Sequence, residues 1–421
     1  MVFKQRNIFL IILSLLVLWG FNNCQSDVPE SRQSKINLNH LNHLYEDVVM
    51  DGDTVGIVHI YCEYPDYKWV DDSDEGIACV DDVARAAIVY LKHYELTNSI
   101  SDLEKAKRLL GFIRKMQSPE GWYYNFVFPD LSINKTHQNS VAEPGWWSWR
   151  AVWAILNGYR TFINIDQQYA DSLKQQLESI IPLIKNYLPK TDSTKIVEGV
   201  TVPAWLPYES ASDQAALINI CLTEYISEFN DTSFVPYINK LANGIILMQK
   251  GSTTEFPYGA ILCFDNLWHG WGSVQAYSLL LAGKVLENQR YIDAALFEID
   301  NFHHYLIEKK FIQEFTIKKT DSGYEILYEK EYPQIAYQLR AMLFASVEAF
   351  KVTGNKKYLN FSEQILQWFK GQNSAKTPMY DPLTGRGYDG IRDAATVNKN
   401  AGAESTIEAL LSMLQFELIQ K

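Results

Sequence analysis

Apolar residues recur at helical spacing in twelve stretches of the chain, about 37–50, 82–97, 101–117, 144–163, 167–187, 210–229, 232–250, 272–287, 290–308, 333–352, 355–370 and 401–420. This is the i, i+3, i+4, i+7 pattern of amphipathic helices. Short polar linkers, Thr97-Asn98-Ser99 and Thr353-Gly354-Asn355 among them, join neighbours as in helix hairpins. The one convincing strand signal predicts a β-hairpin, Phe311–Ile317 then Gly323–Tyr328. Within a pair the second helix is the more charged, as in Ser101–Arg108 after Ala84–Leu91, which predicts outer helices around buried inner ones. The inner helices are expected to begin near 81, 143, 210, 272, 333 and 401, a period of 61–68 residues. An echo supports the period: Met116-Gln117 precedes Gly121–Phe126, and Met248-Gln249 precedes Phe256–Ile261. Repeated helix pairs stack into an open solenoid or close into a ring, and six inner with six outer helices favour the ring.

In a ring, the start of every inner helix and the loop before it reach one face. Asp81 and Asp82 stand where a cap and first turn belong, with Arg85 within one turn of both. Neighbouring helical residues diverge by about 100°, so one aspartate is expected to cap and the other to face a pocket. The same positions in later repeats carry Glu143, Trp146, Trp147, Trp149 and Arg150; Glu209 and Asp213; His269 and Trp271; Gln334, Tyr337 and Arg340; and Asn400 and Glu404. Acids, amides and aromatic rings in one cleft suit a sugar, whose hydroxyls take the polar groups and whose apolar ring faces stack on Trp and Tyr. Each has a plain alternative: the tryptophans occupy nearly every side of one helix, so about two of them belong in the core, and His269 fits a structural role equally well. The turn-rich loop Tyr380–Gly390 precedes the last inner helix and offers Asp389 and Arg386 to the cleft. The acidic run Asp71–Glu75 lacks the spacing of a calcium loop and reads as solvated.

The pattern resembles the six-hairpin glycosidase superfamily, the (α/α)6 toroid, over about residues 37–421, an all-α fold with a minor β-hairpin insertion. Val80–Arg85 together with Asn400–Leu410 resembles poorly characterised toroid proteins found among carbohydrate-processing enzymes. That resemblance implies a carbohydrate-active enzyme without fixing the reaction. A glycoside hydrolase needs two carboxylates, for which Asp82 (or Asp81) and Glu404 are the first choices, with Glu209 and Asp213 in reserve. A carboxylate in a helix first turn has its charged form favoured, which suits a base more than an acid. Arg85, Glu143, Trp146, Trp147, Glu209, Asp213, His269, Trp271, Gln334, Tyr337, Asp389 and Asn400 are the expected substrate contacts. Two other readings compete. A uronic-acid lyase or sugar epimerase would use Arg85, Arg150 or Arg340 against a carboxylate and His269 or a Tyr for the proton; a noncatalytic glycan-binding lipoprotein would use the tryptophans alone.

Composition narrows the setting. Hydrophobic residues make 47% and charged ones 21% of the 421, as in ordinary globular proteins. Lys4 and Arg6 precede the apolar run Ile8–Leu18, which reads as an export signal over residues 1–23. Cys24 follows it as in a bacterial lipoprotein signal and is expected to carry the lipid, with 24–36 as a tether. The expected location is the cell envelope, lipid-anchored at the outer membrane or in the periplasm, with plain secretion the alternative. Losing Lys4 and Arg6 takes the net charge from −12 to −14, which argues against nucleic acid as a partner. Cys62, Cys79, Cys221 and Cys263 lack metal or redox spacing and allow one disulfide. No motif calls for a metal or organic cofactor.

Overall fold

The computed structural model describes residues 34–420; the expected leader and Cys24 lie outside them. Helix α1 (Asn39–Leu44) and the hairpin β1 (Tyr45–Met50) and β2 (Asp53–Val58) lead into α2 (Val80–Thr97) and α3 (Ile100–Lys115). Then come α4 (Trp146–Phe162) with α5 (Gln167–Tyr187), and α6 (Ser212–Phe229) with α7 (Val235–Leu247). Strand β3 (Leu267–His269) precedes α8 (Gln275–Val285), whose partner α9 (Gln289–Glu298) continues through a π-turn at Ile299–His303 into α10 (His304–Glu308). The hairpin β4 (Glu314–Thr320) and β5 (Gly323–Lys330) is followed by α11 (Ala336–Thr353), α12 (Lys357–Gln367) and α13 (Ala403–Ile419).

The inner helices α2, α4, α6, α8, α11 and α13 pack each on the next, and α13 packs back on α2, which closes the ring. Helices α3, α5, α7, α9 and α12 each lie outside their partner. The architecture is the all-α (α/α)6 toroid, with small antiparallel sheets in the loops. Burial explains the difference in charge between the two layers. Helix α11 buries every residue from Ala336 to Ala349, whereas α5 buries one stripe, Ala170, Leu173, Gln176, Leu177, Ile180, Ile181 and Ile184. An inner helix touches neighbours on all sides and therefore carries little amphipathic pattern.

The sixth outer place departs from expectation. The helix expected over 37–50 stops at Leu44, and Tyr45–Met50 pairs with Asp53–Val58 instead. The reason is local: Asp51 and Gly52 both take positive φ (49° and 83°), the Asp-Gly turn that favours a tight hairpin. Short α1 packs on α13 and β2 packs on α3, so the place is filled by a hybrid of helix and hairpin. The expected hairpin is present at 314–330 and gains β3 as a third strand, in the order β5-β4-β3. The four cysteines beyond Cys24 are buried free thiols, so the allowed disulfide is not made.

Candidate functional site

The first turns of α2, α4, α11 and α13 converge around one guanidinium. Arg85 is 1% exposed and donates to Asp82 Oδ1 (2.6 Å), Asp81 Oδ2 (3.0 Å), Glu408 Oε1 (2.5 Å) and Glu404 Oε2 (3.3 Å). Arg150 bonds Asp81 Oδ2, and Arg340 Nε donates to Glu408 Oε2 (2.6 Å). The ring of Tyr337 lies among all three arginines, its centroid 5.3 Å from Arg85, 5.1 Å from Arg150 and 5.1 Å from Arg340. Cations over an aromatic face are favourable, so Tyr337 keeps three like charges close together that would otherwise repel.

The helix start is not capped as expected. Cys79 is the cap residue, its Sγ accepting from Asp82 N at 3.4 Å, and Asp81 and Asp82 both turn to Arg85. Arg85 was expected to meet substrate; wholly buried, it holds acids instead. Asp82 is 4% exposed, and its carboxyl is pushed up to about 7: burial raises it most, Arg85 lowers it, and Asp81 and Glu404 raise it again. The sequence-based expectation that a first-turn position would favour the charged form is thereby reversed, because four carboxylates share three guanidiniums and burial selects which one keeps a proton. Glu404 is also raised, first by burial, while its side chain remains 46% exposed. Glu408 goes the other way: burial raises it, but Arg340 and Arg85 outweigh burial and hold it below the usual range.

Oxygens of Asp81, Asp82 and Glu404 come within 4.8 Å of one another. Beside them opens a cavity of about 230 Å³ lined by Glu404, Tyr337, Asn400, Asp389, Tyr61 and Glu63, among others. Its far wall is the segment before α2, hydrogen-bonded along the start of α13: Ala403 N donates to Ile60 O (2.9 Å), Ala401 N to Cys62 O (3.0 Å) and Tyr64 N to Asn400 Oδ1 (3.1 Å). Gly402 permits this approach, since a Cβ there would stand 2.6 Å from Ile60 O. Asp389 accepts from Gly402 N (3.2 Å) and Ser405 Oγ (2.9 Å), so it buttresses the helix carrying Glu404 as well as lining the cavity.

A second cluster stands on the next part of the ring. His269 Nε2 lies 3.1 Å from Asp213 Oδ2, its ring stacks on Trp271 (3.9 Å, 10°), and its Nδ1 is buried without a partner. Burial lowers the imidazole pKa, but Cys263 and Asp213 raise it, to about 10. Asp213, Cys263 and His269 offer ligand atoms within 4.8 Å of one another, a donor set that suits a zinc-like ion better than calcium. In the first cluster a cation would have to displace guanidiniums. The loop after His269 reaches the centre: a Cβ on Gly272 would stand 3.2 Å from both Tyr337 Oη and Trp146 Cη2.

Other expected contacts are placed elsewhere. Trp147 is buried and donates Nε1 to Tyr123 O (2.6 Å), so it belongs to the wall; Trp149 is core, while Trp146 stands under Arg150 at 5.5 Å. Gln334 is buried and donates to Phe311 O (3.0 Å), tying two loops together. Glu209 is exposed and pairs with Lys195. Glu143 is partly buried and raised, burial being the first cause and a bond from Tyr208 opposing it. Two functional candidates escaped the sequence reading. Glu63 belongs to no helix start, and Glu408, one turn beyond Glu404, carried only the i, i+4 spacing as a signal.

No family model matches the chain, and no curated protein is similar to it in sequence. Solved structures are similar in fold. A cellobiose 2-epimerase from Bacillus thermoamylovorans superposes with TM-score 0.61 at 12% identity, over 91% of this chain and 96% of that one. A family 76 glycoside hydrolase from a bovine Bacteroides thetaiotaomicron strain gives 0.57 at 11% identity, over 92% and 78%. An α-1,6-mannanase of Salegentibacter, inactivated by replacing two consecutive aspartates with alanine and bound to α-1,6-mannotetrose, gives 0.54 at 12%, over 86% and 93%. The chain therefore shares the (α/α)6 toroid fold of these carbohydrate-enzyme structures.

Proposed function

We propose that the chain is a carbohydrate-active enzyme that hydrolyses a glycosidic bond, with Glu404 and Asp82 as its carboxylate pair. The observation that carries this reading is the meeting of α2 and α13, 322 residues apart at Asp82 and Glu404, with carboxylate oxygens within 4.8 Å beside a cavity. Asp82, with its pKa near 7, holds the proton for the leaving oxygen; Glu404, half exposed on the cavity and balanced by Arg85, supplies the charged partner. The mannanase inactivated at two consecutive aspartates lends support to the adjacent pair Asp81-Asp82 as machinery. Asp81, tied to both Arg85 and Arg150, positions those cations.

The sugar is a neutral one in this reading. Each arginine of the cluster already bonds a carboxylate, and the cavity is lined by Glu63, Asp389 and Glu404 with no Lys or Arg. A uronic acid would bring a further negative charge to that wall. One observation favours a second reaction: the buried His269–Asp213 pair, stacked on Trp271, is the kind of group that would move a proton in sugar epimerisation, and structural neighbours include epimerases. The test is turnover of neutral manno- and gluco-oligosaccharides, followed both by new reducing ends and by epimer formation. Hydrolysis predicts reducing ends, cut roughly 10²–10⁴-fold by Asp82→Asn or Glu404→Gln. Epimer without reducing ends, abolished by His269→Gln, would replace hydrolysis with the second reaction.

A further inference from the structure

We infer that the segment Tyr61–Val70 forms a second sugar subsite, so that the enzyme binds at least a disaccharide with one unit in the cavity and the next on this hairpin. The inference rests on the carbohydrate reading above. Residues Tyr61–Glu63 pair antiparallel with Lys68–Val70, Tyr61 opposite Val70 and Glu63 opposite Lys68. Side chains alternate along a strand. Cys62 is buried, so Tyr61 and Glu63 share the other face, and both line the cavity that holds Glu404. Their cross-strand partners Val70 and Lys68 are exposed on that same side. The opposite face has its own occupants: Trp69 stacks on His59 at 3.7 Å and donates Nε1 to His43 O.

This ledge is unusual for the molecule. Tyr61 (39%), Tyr64 (54%) and Val70 (39%) are all among its exposed large apolar residues and lie within ten residues of sequence. Clustered exposed aromatics beside a polar cavity mark a binding surface more often than chance exposure does. The ledge is also anchored where the chemistry is, through the three hydrogen bonds that join Ile60, Cys62 and Tyr64 to residues 400–403. Tyr61 is further oriented by its hydroxyl, which donates to Glu75 (2.7 Å) and leaves the ring face as the contact surface. A cavity of about 230 Å³ is smaller than the ~300–1,000 Å³ of typical ligand pockets and suits a single sugar ring. The remainder of a longer substrate must leave it along the wall that Tyr61 and Glu63 form.

The experiment is calorimetric binding of the mono-, di- and trisaccharide of one neutral series to the full mature chain, without reliance on turnover. Wild type is expected to gain roughly 10-fold or more in affinity from one to two units, in line with ~1–1.5 kcal/mol for a stacked ring. Tyr61→Ala should remove most of that gain, costing the disaccharide several-fold more affinity than the monosaccharide, whose cavity Tyr61 also borders. Tyr61→Phe should retain it, which separates ring stacking from loss of the Glu75 bond. Glu63→Gln should likewise weaken the longer ligands more than the monosaccharide. Equal affinity for one and two units in wild type, or an equal loss for every length in Tyr61→Ala, overturns the subsite. Absence of binding by any tested sugar to wild type overturns the carbohydrate reading itself, which is a different failure.

Discussion

Replacing Glu408 with glutamine keeps the side chain's shape and removes one charge from the most enclosed position of the cluster. Glu408 is 0% exposed and touches two cations, Arg85 at 2.5 Å and Arg340 at 2.6 Å. Removing one partner of a buried ion pair costs about 3–5 kcal/mol, because the remaining charge stays buried. At about 2.1 cal/mol/K per residue, the unit Ser34–Lys421 has an unfolding entropy on the order of 0.8 kcal/mol/K. The expected fall in Tm is therefore about 4–6 °C at neutral pH. The sign of its pH dependence follows from the lowered pKa. A depressed carboxylate stabilises above its unfolded value, near 4.3, and that contribution is lost as pH falls through the folded value. Scanning calorimetry of both proteins at pH 7 and at the lowest pH where wild type stays folded should show the gap narrowing in acid. A gap under about 1 °C at neutral pH, or one that widens in acid, would refute the assignment of Glu408 as the ionised anchor of Arg85 and Arg340.

The other expectations are briefer. Asp82 has a raised pKa, so its contribution is fully present below about 3.9 and is lost as pH rises through about 7; Asp82→Asn should gain stability relative to wild type between pH 5 and 8, and a flat difference in Tm over that range would contradict it. Gly402→Ala forces a Cβ against Ile60 O, which should lower Tm by a few degrees and weaken sugar binding together, since the same contact positions Glu404; loss of neither would show that the wall moves freely. Cys24, proposed to carry lipid, should hold the protein in the membrane fraction, and Cys24→Ser should release it or block processing; an unmodified mature N-terminus downstream of Cys24 ends that proposal.

The ring was legible because its signal is repeated: the 61–68 residue period needs only buried inner helices at regular intervals, and all six are present within a few residues of their expected starts. The Asp-Gly turn at 51–52 was a local signal of comparable strength, overlooked because the helical period ran through it from Asn39. Which side chains met at the centre was also legible, since closure makes α2 and α13 neighbours and so brings Asp82 to Glu404. Whether each pointed to solvent or to a partner was not. Trp146 and Trp147 are adjacent in sequence and identical in type, yet one stands under Arg150 while the other gives its N–H to a backbone carbonyl. Rotations of ~100° between successive residues decide that, and small errors in where the helix starts reverse it.

Protonation was the furthest from reach, because it depends on a count taken over the whole ring. Around Arg85 stand Asp81, Asp82, Glu404 and Glu408 from two helices, against Arg85, Arg150 and Arg340 from three. A helix start considered alone makes Asp82 a comfortable anion; in the closed ring four carboxylates share three cations, and burial raises the Asp82 carboxyl to about 7. The same count bears on substrate choice. With the guanidiniums committed to acids and two further carboxyl groups, Glu63 and Asp389, on the cavity wall, the proposed sugar substrate gains from hydroxyls and apolar faces and gains nothing from an added negative charge. Charge balance around Tyr337 thus links the fold to the chemistry. It keeps three arginines packed around one aromatic ring, and it raises the Asp82 carboxyl to about 7, so that a protonated acid is available there for the glycosidic hydrolysis proposed above.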